Sequence, residues 1–167
     1  MSHDKDQHYV FVYGTLKTGQ PNHYYLTEDF STGKATLLGT GETMHAFPLV
    51  VATVNNLPFL LPVEGKGENV QGEIYEIDDQ KLYWLDDFES HPSWYKREII
   101  EIRLMDGTLK VEGQVMTKGD VCQCWVYFLP GYKPEMLALK MLKSYASLSP
   151  DHLPYNTNEE MTSLEDT

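Results

Sequence analysis

The run Tyr9-Val10-Phe11-Val12-Tyr13 is β-branched and aromatic throughout and halts at Gly14, so the chain must bury it as a strand that runs straight into a turn. Two further segments share that character: Lys96 to Leu104 (KREIIEIRL) and Gln123 to Leu129 (QCWVYFL). Val70 to Ile77 reads as a fourth strand of mixed pattern, with Val70, Gly72, Ile74 and Glu76 on one face and Gln71, Glu73, Tyr75 and Ile77 on the other. Extended segments are expected near Thr36 to Met44 and Leu49 to Val54, and Asp106-Gly107 is expected to turn a hairpin into Thr108 to Glu112. Helical signals are fewer. A short helix is expected near Asn22 to Asp29, and Asp78 and Asp79 offer an N-cap to a helix reaching about Glu89, closed by His91-Pro92. Pro134 to Ser147 carries enough apolar residues for a third. Strands therefore dominate an α+β domain with two or three helices packed outside.

With no internal repeat or linker in view, residues 9–149 read as one domain, preceded by a flexible polar N-terminus at residues 1–8. From Pro150 the composition turns to Asp, Asn, Pro, Thr and Glu, which predicts a mobile polar tail at residues 150–167. In the full sequence of 167 residues, 13 basic side chains stand against 25 acidic ones, a balance that disfavours nucleic acid and anionic membrane surfaces as partners. No stretch reaches the ~20 apolar residues of a membrane-spanning helix, and the start of the chain is polar where a signal peptide would be apolar. The expectation is a cytoplasmic protein. Cys122 and Cys124, two apart in a strand, read as reduced residues and suit neither a disulfide framework nor a zinc site.

Two constellations could carry chemistry. The loop Gly14-Thr15-Leu16-Lys17-Thr18-Gly19-Gln20-Pro21 copies the glycine spacing of a phosphate-binding P-loop but has Gln20 and Pro21 where Lys and Ser or Thr are needed, which argues against nucleoside triphosphates. Its backbone could still aim successive N–H groups at a carboxylate or an oxyanion; the alternative is an ordinary strand-to-loop turn. The second constellation is Leu82 to Glu89. At ~100° per residue Glu89 projects between Leu82 and Leu85, Asp86 lies at the edge of that face, and Asp87 points away. A carboxyl held among leucines is desolvated and its pKa rises toward the range useful for proton transfer; the alternative is that Glu89 only closes the helix end. Glu89-Ser90-His91 holds triad residue types, but neighbours in sequence diverge in direction. The six histidines show no metal-ligand spacing. Trp94, Tyr95 and Tyr127 could line a pocket or fill the core, and core filling is the safer assignment.

Val12-Tyr13-Gly14-Thr15-Leu16-Lys17, Tyr75-Glu76-Ile77 leading into Leu85-Asp86-Asp87-Phe88-Glu89, and Trp94-Tyr95-Lys96-Arg97 together resemble the γ-glutamylcyclotransferase-like superfamily. The resemblance spans about Tyr9 to Leu129. Gly19-Gln20-Pro21-Asn22-His23 points to the branch acting on γ-glutamyl amines, and Tyr155-Asn156 retains part of that branch's C-terminal pattern. The resemblance implies a small mixed β-barrel flanked by two or three helices, and release of 5-oxoproline from a small γ-glutamyl substrate without cofactor or metal. For the branch, that substrate is γ-glutamyl-ε-lysine from digested transglutaminase cross-links. It further implies that Tyr13, Gly14, Thr15 and Leu16 bind substrate and that Glu89 is the proton acceptor and donor, in a protein taken to be monomeric. Ser90 stands where many members have Gly. Two other readings stay open: the same chemistry on other γ-glutamyl amino acids or peptides, and a non-catalytic module that binds a small anion.

Overall fold

The computed structural model describes residues 7–27, 30–111 and 113–156. Among them the chain forms β1 (His8–Val12), α1 (Tyr24–Thr27), β2 (Ala35–Thr43), β3 (Leu49–Ala52), β4 (Leu57–Leu60), β5 (Gln71–Ile77), α2 (Asp79–Phe88), β6 (Lys96–Gly107), β7 (Leu109–Val111), β8 (Gln114–Met116) and β9 (Val121–Phe128). Short 3₁₀ turns lie at Phe30–Thr32 and Pro134–Ala138.

Five strands close a barrel in the order β1-β5-β2-β6-β9, all neighbours antiparallel except β1 and β9, which meet in parallel at Val10 and Trp125. The expected mixed barrel is thus present. Closure needs tight curvature, and β2 supplies it with two register shifts, between Leu37 and Gly39 and between Thr40 and Gly41. A Cβ on Gly39 would stand 2.0 Å from the Asp106 carbonyl oxygen, so only glycine lets β2 and β6 approach there.

The mixed pattern of β5 has a simple cause: both of its faces are buried, against different cores. Tyr75 and Ile77 pack with Val10 and Val12 under Leu82 and Leu85 of α2, outside the barrel. Ile74 faces the opposite way, with Phe11, Ile102, Leu104, Cys124 and Val126, in the barrel interior. Cys122 and Cys124 are buried and unbridged. β3 and β4 form a separate hairpin whose turn carries Thr53 and Asn56 at φ 70° and 53°.

Two expectations need correction. Residues 134–147 do not form a helix beyond the 3₁₀ turn: Leu142 N–H instead donates to Leu49 O at 2.8 Å and Lys143 O accepts from Gln71 N–H at 2.8 Å. The backbone pairs with neighbouring strands, and Met136, Leu142 and Tyr145 are buried from a non-helical path. Asp106-Gly107 is no hairpin turn either. Both residues extend β6 and pair with Thr40 and Gly39, while β7 pairs with β8; Glu112, in the expected partner segment, lies outside the described residues. The short helix expected near residues 22–29 is present at Tyr24–Thr27, with residues 28–29 outside the described part.

Of the tail set apart on composition, residues 150–156 are described, and they lie on the domain. Asn156 N–H donates to Asn55 O at 2.9 Å, Asn55 Nδ2 to Asn156 O at 2.7 Å and Asn56 Nδ2 to Pro154 O at 2.9 Å. Residues 157–167, like residues 1–6 at the N-terminus, lie outside the described part.

Candidate active site

α2 starts as its sequence requires: Asp78 accepts from Lys81 N–H at 2.8 Å, and Asp79 stands in the first turn. Leu82 and Leu85 dock on the barrel, which orients the rest of the helix. The helix ends at Phe88 with Glu89 as its C-cap, and Ser90 follows in the left-handed region at φ 53°. The two readings of Glu89 therefore coincide: its backbone closes the helix while its side chain lines a cavity of about 600 Å³.

The opposite wall of that cavity is the turn Tyr13-Gly14-Thr15-Leu16 at the end of β1. The turn is held from behind. Gly14 O accepts from Lys17 N–H at 3.1 Å, Thr15 O from Asn22 N–H at 2.8 Å, and Leu16 O from His23 Nδ1 at 2.9 Å, while Asn22 Nδ2 donates to Thr15 Oγ1 at 3.0 Å. All three carbonyls are thus engaged, whereas the N–H groups of Gly14, Thr15 and Leu16 have no hydrogen-bond partner among the described residues. Donors of this kind, in residues that line a cavity, are able to bind a carboxylate or an oxyanion. Gly14 is needed for space, since a Cβ there would come within 2.7 Å of Pro58 Cγ.

Part of Glu89 opens into the cavity, yet the protein packed around the carboxyl desolvates it and pushes its pKa up to about 8. Three phenols surround this acid. Burial, with the nearby Glu89 adding to it, raises Tyr13 and Tyr95 well above the usual phenol range; for Tyr127 burial leads, followed by its bond to Asp86. All three stay neutral hydrogen-bonding groups at any physiological pH. Tyr13 donates to Tyr127 O at 2.6 Å and Tyr95 to Pro58 O at 3.2 Å, so neither is free to carry protons.

Asp86 is the other acid of the helix edge, and the structure assigns it to support. It accepts from Arg97 Nε at 2.7 Å and Nη2 at 3.1 Å and from Tyr127 Oη at 2.7 Å, with the Arg97 guanidinium 4.1 Å from the Trp125 ring centroid. This network fixes the Tyr127 residue whose carbonyl anchors Tyr13. Asp87 is exposed, as its position on the helix predicted.

All five residues singled out in the sequence therefore meet at one cavity. Trp94, Tyr95 and Tyr127, assigned above to core filling, line it as well, although Tyr95 and Tyr127 are also buried. Asn22 and Tyr155 complete it, and neither had a positional signal beyond the family-like segments around it. Among the described residues no cluster of His, Cys, Asp or Glu could hold a metal ion, and no helix is long and apolar enough to cross a membrane.

A small closed mixed barrel with a backbone turn facing a desolvated acid across one hollow defines a class of compact small-molecule enzymes, and comparison with known proteins gives the family. The chain belongs to the gamma-glutamyl cyclotransferase, AIG2-like family, whose model matches residues 10–147. A gammaglutamylamine cyclotransferase of Rattus norvegicus is 48% identical over 90% of this chain and 97% of its own length. Its Homo sapiens counterpart is 41% identical with the same coverage. A crystal structure of an AIG2-like protein from Mus musculus superimposes with a TM-score of 0.83 at 44% identity, covering 93% of this chain and 99% of that one.

Proposed function

We propose that the protein is a γ-glutamylamine cyclotransferase that converts γ-glutamyl-ε-lysine to 5-oxoproline and free lysine. The observation that carries the reading is the shared cavity of the Tyr13 to Leu16 turn and Glu89, with unpaired donors on one wall and an acid of pKa about 8 on the other. Relatives bearing the γ-glutamylamine activity in their names, at 41% and 48% identity, support the substrate class.

The chemistry needs little from the protein. The α-amine and the γ-carbonyl belong to one substrate, so closure to a five-membered lactam is intramolecular and requires no protein nucleophile or cofactor. Well-oriented intramolecular reactions reach effective molarities on the order of 10⁵ to 10⁸ M, so holding the substrate folded is the main contribution. The N–H groups of the turn hold the glutamyl head, through its α-carboxylate or through the oxyanion that develops on the γ-carbonyl.

Glu89 moves the protons. Its carboxylate takes one from the α-ammonium, and the freed lone pair attacks the γ-carbonyl carbon. The ring nitrogen of the tetrahedral centre still carries one proton too many; as Glu89 returns its proton to the departing ε-nitrogen and the old C–N bond breaks, that extra proton passes to the Glu89 carboxylate and on to the freed amine, leaving the lactam and the lysine ε-ammonium. A carboxyl of ordinary pKa would be a poor partner for an amine; one raised to about 8 lies closer to the amine range, which eases these transfers. Tyr13, Tyr95 and Tyr127 keep water from the acid and fix the cavity wall. The enzyme acts on a small molecule, and the unbridged Cys122 and Cys124 fit a cytoplasmic address.

The test is release of 5-oxoproline from γ-glutamyl-ε-lysine, γ-glutamyl-alanine and glutathione by the purified protein. Preference for the first is expected. Preference for either of the others replaces the substrate assignment, and release from none refutes the enzyme.

A further inference from the structure

A cavity of about 600 Å³ exceeds what a five-membered ring and its carboxylate occupy, and ligands of drug size fill ~300–1,000 Å³. Once the turn and Glu89 have taken the glutamyl head, the remaining walls are rich in carbon: Leu57, Pro58, Phe88, Trp94 and Tyr155. Tyr155 comes from furthest along the chain, and its position is built. The residues on either side of it are bound to the β3–β4 turn, Pro154 O by Asn56 Nδ2 and Asn156 by a reciprocal pair with Asn55, while Tyr155 N–H itself donates to Ser147 Oγ at 3.0 Å. The same turn leads directly into Leu57 and Pro58, so one clasp sets both the hairpin wall and the Tyr155 wall. With the backbone so engaged, the Tyr155 side chain lines the cavity without a hydrogen bond to any described residue.

We propose that Tyr155, clamped by Asn55 and Asn56, is a specificity-determining residue whose ring packs on the carbon chain of the leaving amine and favours long aliphatic amines over short ones. The inference rests on the cyclotransferase reading and adds a leaving-group subsite to it. An aromatic face offers a methylene chain contact without demanding a polar partner, and discrimination of about tenfold or more per methylene is within reach of such a wall.

The experiment compares kcat/KM for γ-glutamyl-ε-lysine with that for γ-glutamyl methylamide, which has the same head and a trimmed leaving amine. In Tyr155→Ala the ratio of the two values is expected to fall about tenfold, and in Tyr155→Phe to stay within about twofold of wild type, because the ring makes the contact. Asn56→Ala, which keeps the Tyr155 side chain but removes the Pro154 arm of its clamp, should lower the ratio in the same direction. An unchanged ratio in Tyr155→Ala, or an equal loss on both substrates, overturns the subsite while leaving the enzyme reading intact. Wild-type inactivity on both substrates overturns the enzyme reading instead, and the subsite with it. Thermal unfolding of each variant separates a folding defect from a loss of selectivity; if Tyr155→Ala does not fold, the Asn56→Ala ratio decides.

Discussion

Replacing Glu89 by Gln keeps the size and polarity of the side chain and removes its ability to ionise, and the structure gives that change two opposite consequences. Activity should fall by about a hundredfold or more, the usual contribution of a positioned acid–base group. Stability should rise. The folded carboxyl has a pKa raised from the ordinary 4.5 to about 8. Below pH 4.5 the folded and unfolded states are both protonated and the group makes no difference. Between pH 4.5 and 8 the unfolded chain releases the proton and the folded protein retains it, so wild-type stability declines across that window and levels off above it. At ~1.4 kcal/mol per pH unit the ceiling is roughly 5 kcal/mol, and because the carboxyl keeps partial access to the cavity, about 2 kcal/mol is the expected share. Urea unfolding of both proteins at pH 5 and pH 8.5 measures it: the variant should be nearly equal at the first pH and more stable at the second. In parallel, the 5-oxoproline assay should show wild-type kcat/KM rising with pH and bending near 8, a limb absent from the residual activity of the variant. The substrate amine titrates in both proteins, so the difference between the two profiles belongs to Glu89. Near-normal turnover by Glu89→Gln would refute its role, and equal pH dependence of stability would refute its desolvation.

Ser90→Gly relieves a left-handed residue at φ 53° and should stabilise the protein by about 1 kcal/mol in chemical denaturation, with kcat/KM little changed. Asp86→Asn weakens the bond pair to Arg97 and the acceptor of Tyr127, and is expected to cost about 2–3 kcal/mol in urea unfolding while lowering kcat more than it raises KM, since it acts on the cavity through Tyr127. Gly14→Ala sets a methyl 2.7 Å from Pro58 Cγ and must displace the turn or Pro58, both of which line the cavity, so kcat/KM should fall about tenfold or more even if the fold survives in circular dichroism.

The site was legible in the sequence to the extent that it depends on local rules. Val12-Tyr13-Gly14 marks the end of a buried strand, and helical geometry from Leu82 and Leu85 is enough to turn Glu89 inward, as the cavity lining bears out. The same rule separated Glu89 from the exposed Asp87. What was not legible is whatever distant backbone decides. Residues 134–147 have the apolar content of a helix, but Leu49 and Gln71 offer their backbones as partners, and tertiary hydrogen bonding overrides propensity. Asp106-Gly107 has ideal hairpin chemistry and is nonetheless held in β6 by Thr40 and Gly39. Tyr95 and Tyr127 are large and buried, as core residues are, and only the third dimension reveals that their inner faces border a hollow. The composition that set residues 150–156 apart carries no trace of the asparagines at positions 55 and 56 that receive them.

Because Gln20 Oε1 receives Ser147 N–H at 2.7 Å and Asn55 receives Asn156, the hollow is walled by segments more than a hundred positions apart along the chain. During synthesis the turn and the acid are made early, whereas the last wall follows only once the chain has been extended to Tyr155. A copy cut short of Tyr155 would have a barrel without a finished chamber, and turnover of the lysine substrate would therefore report on whether that wall is present.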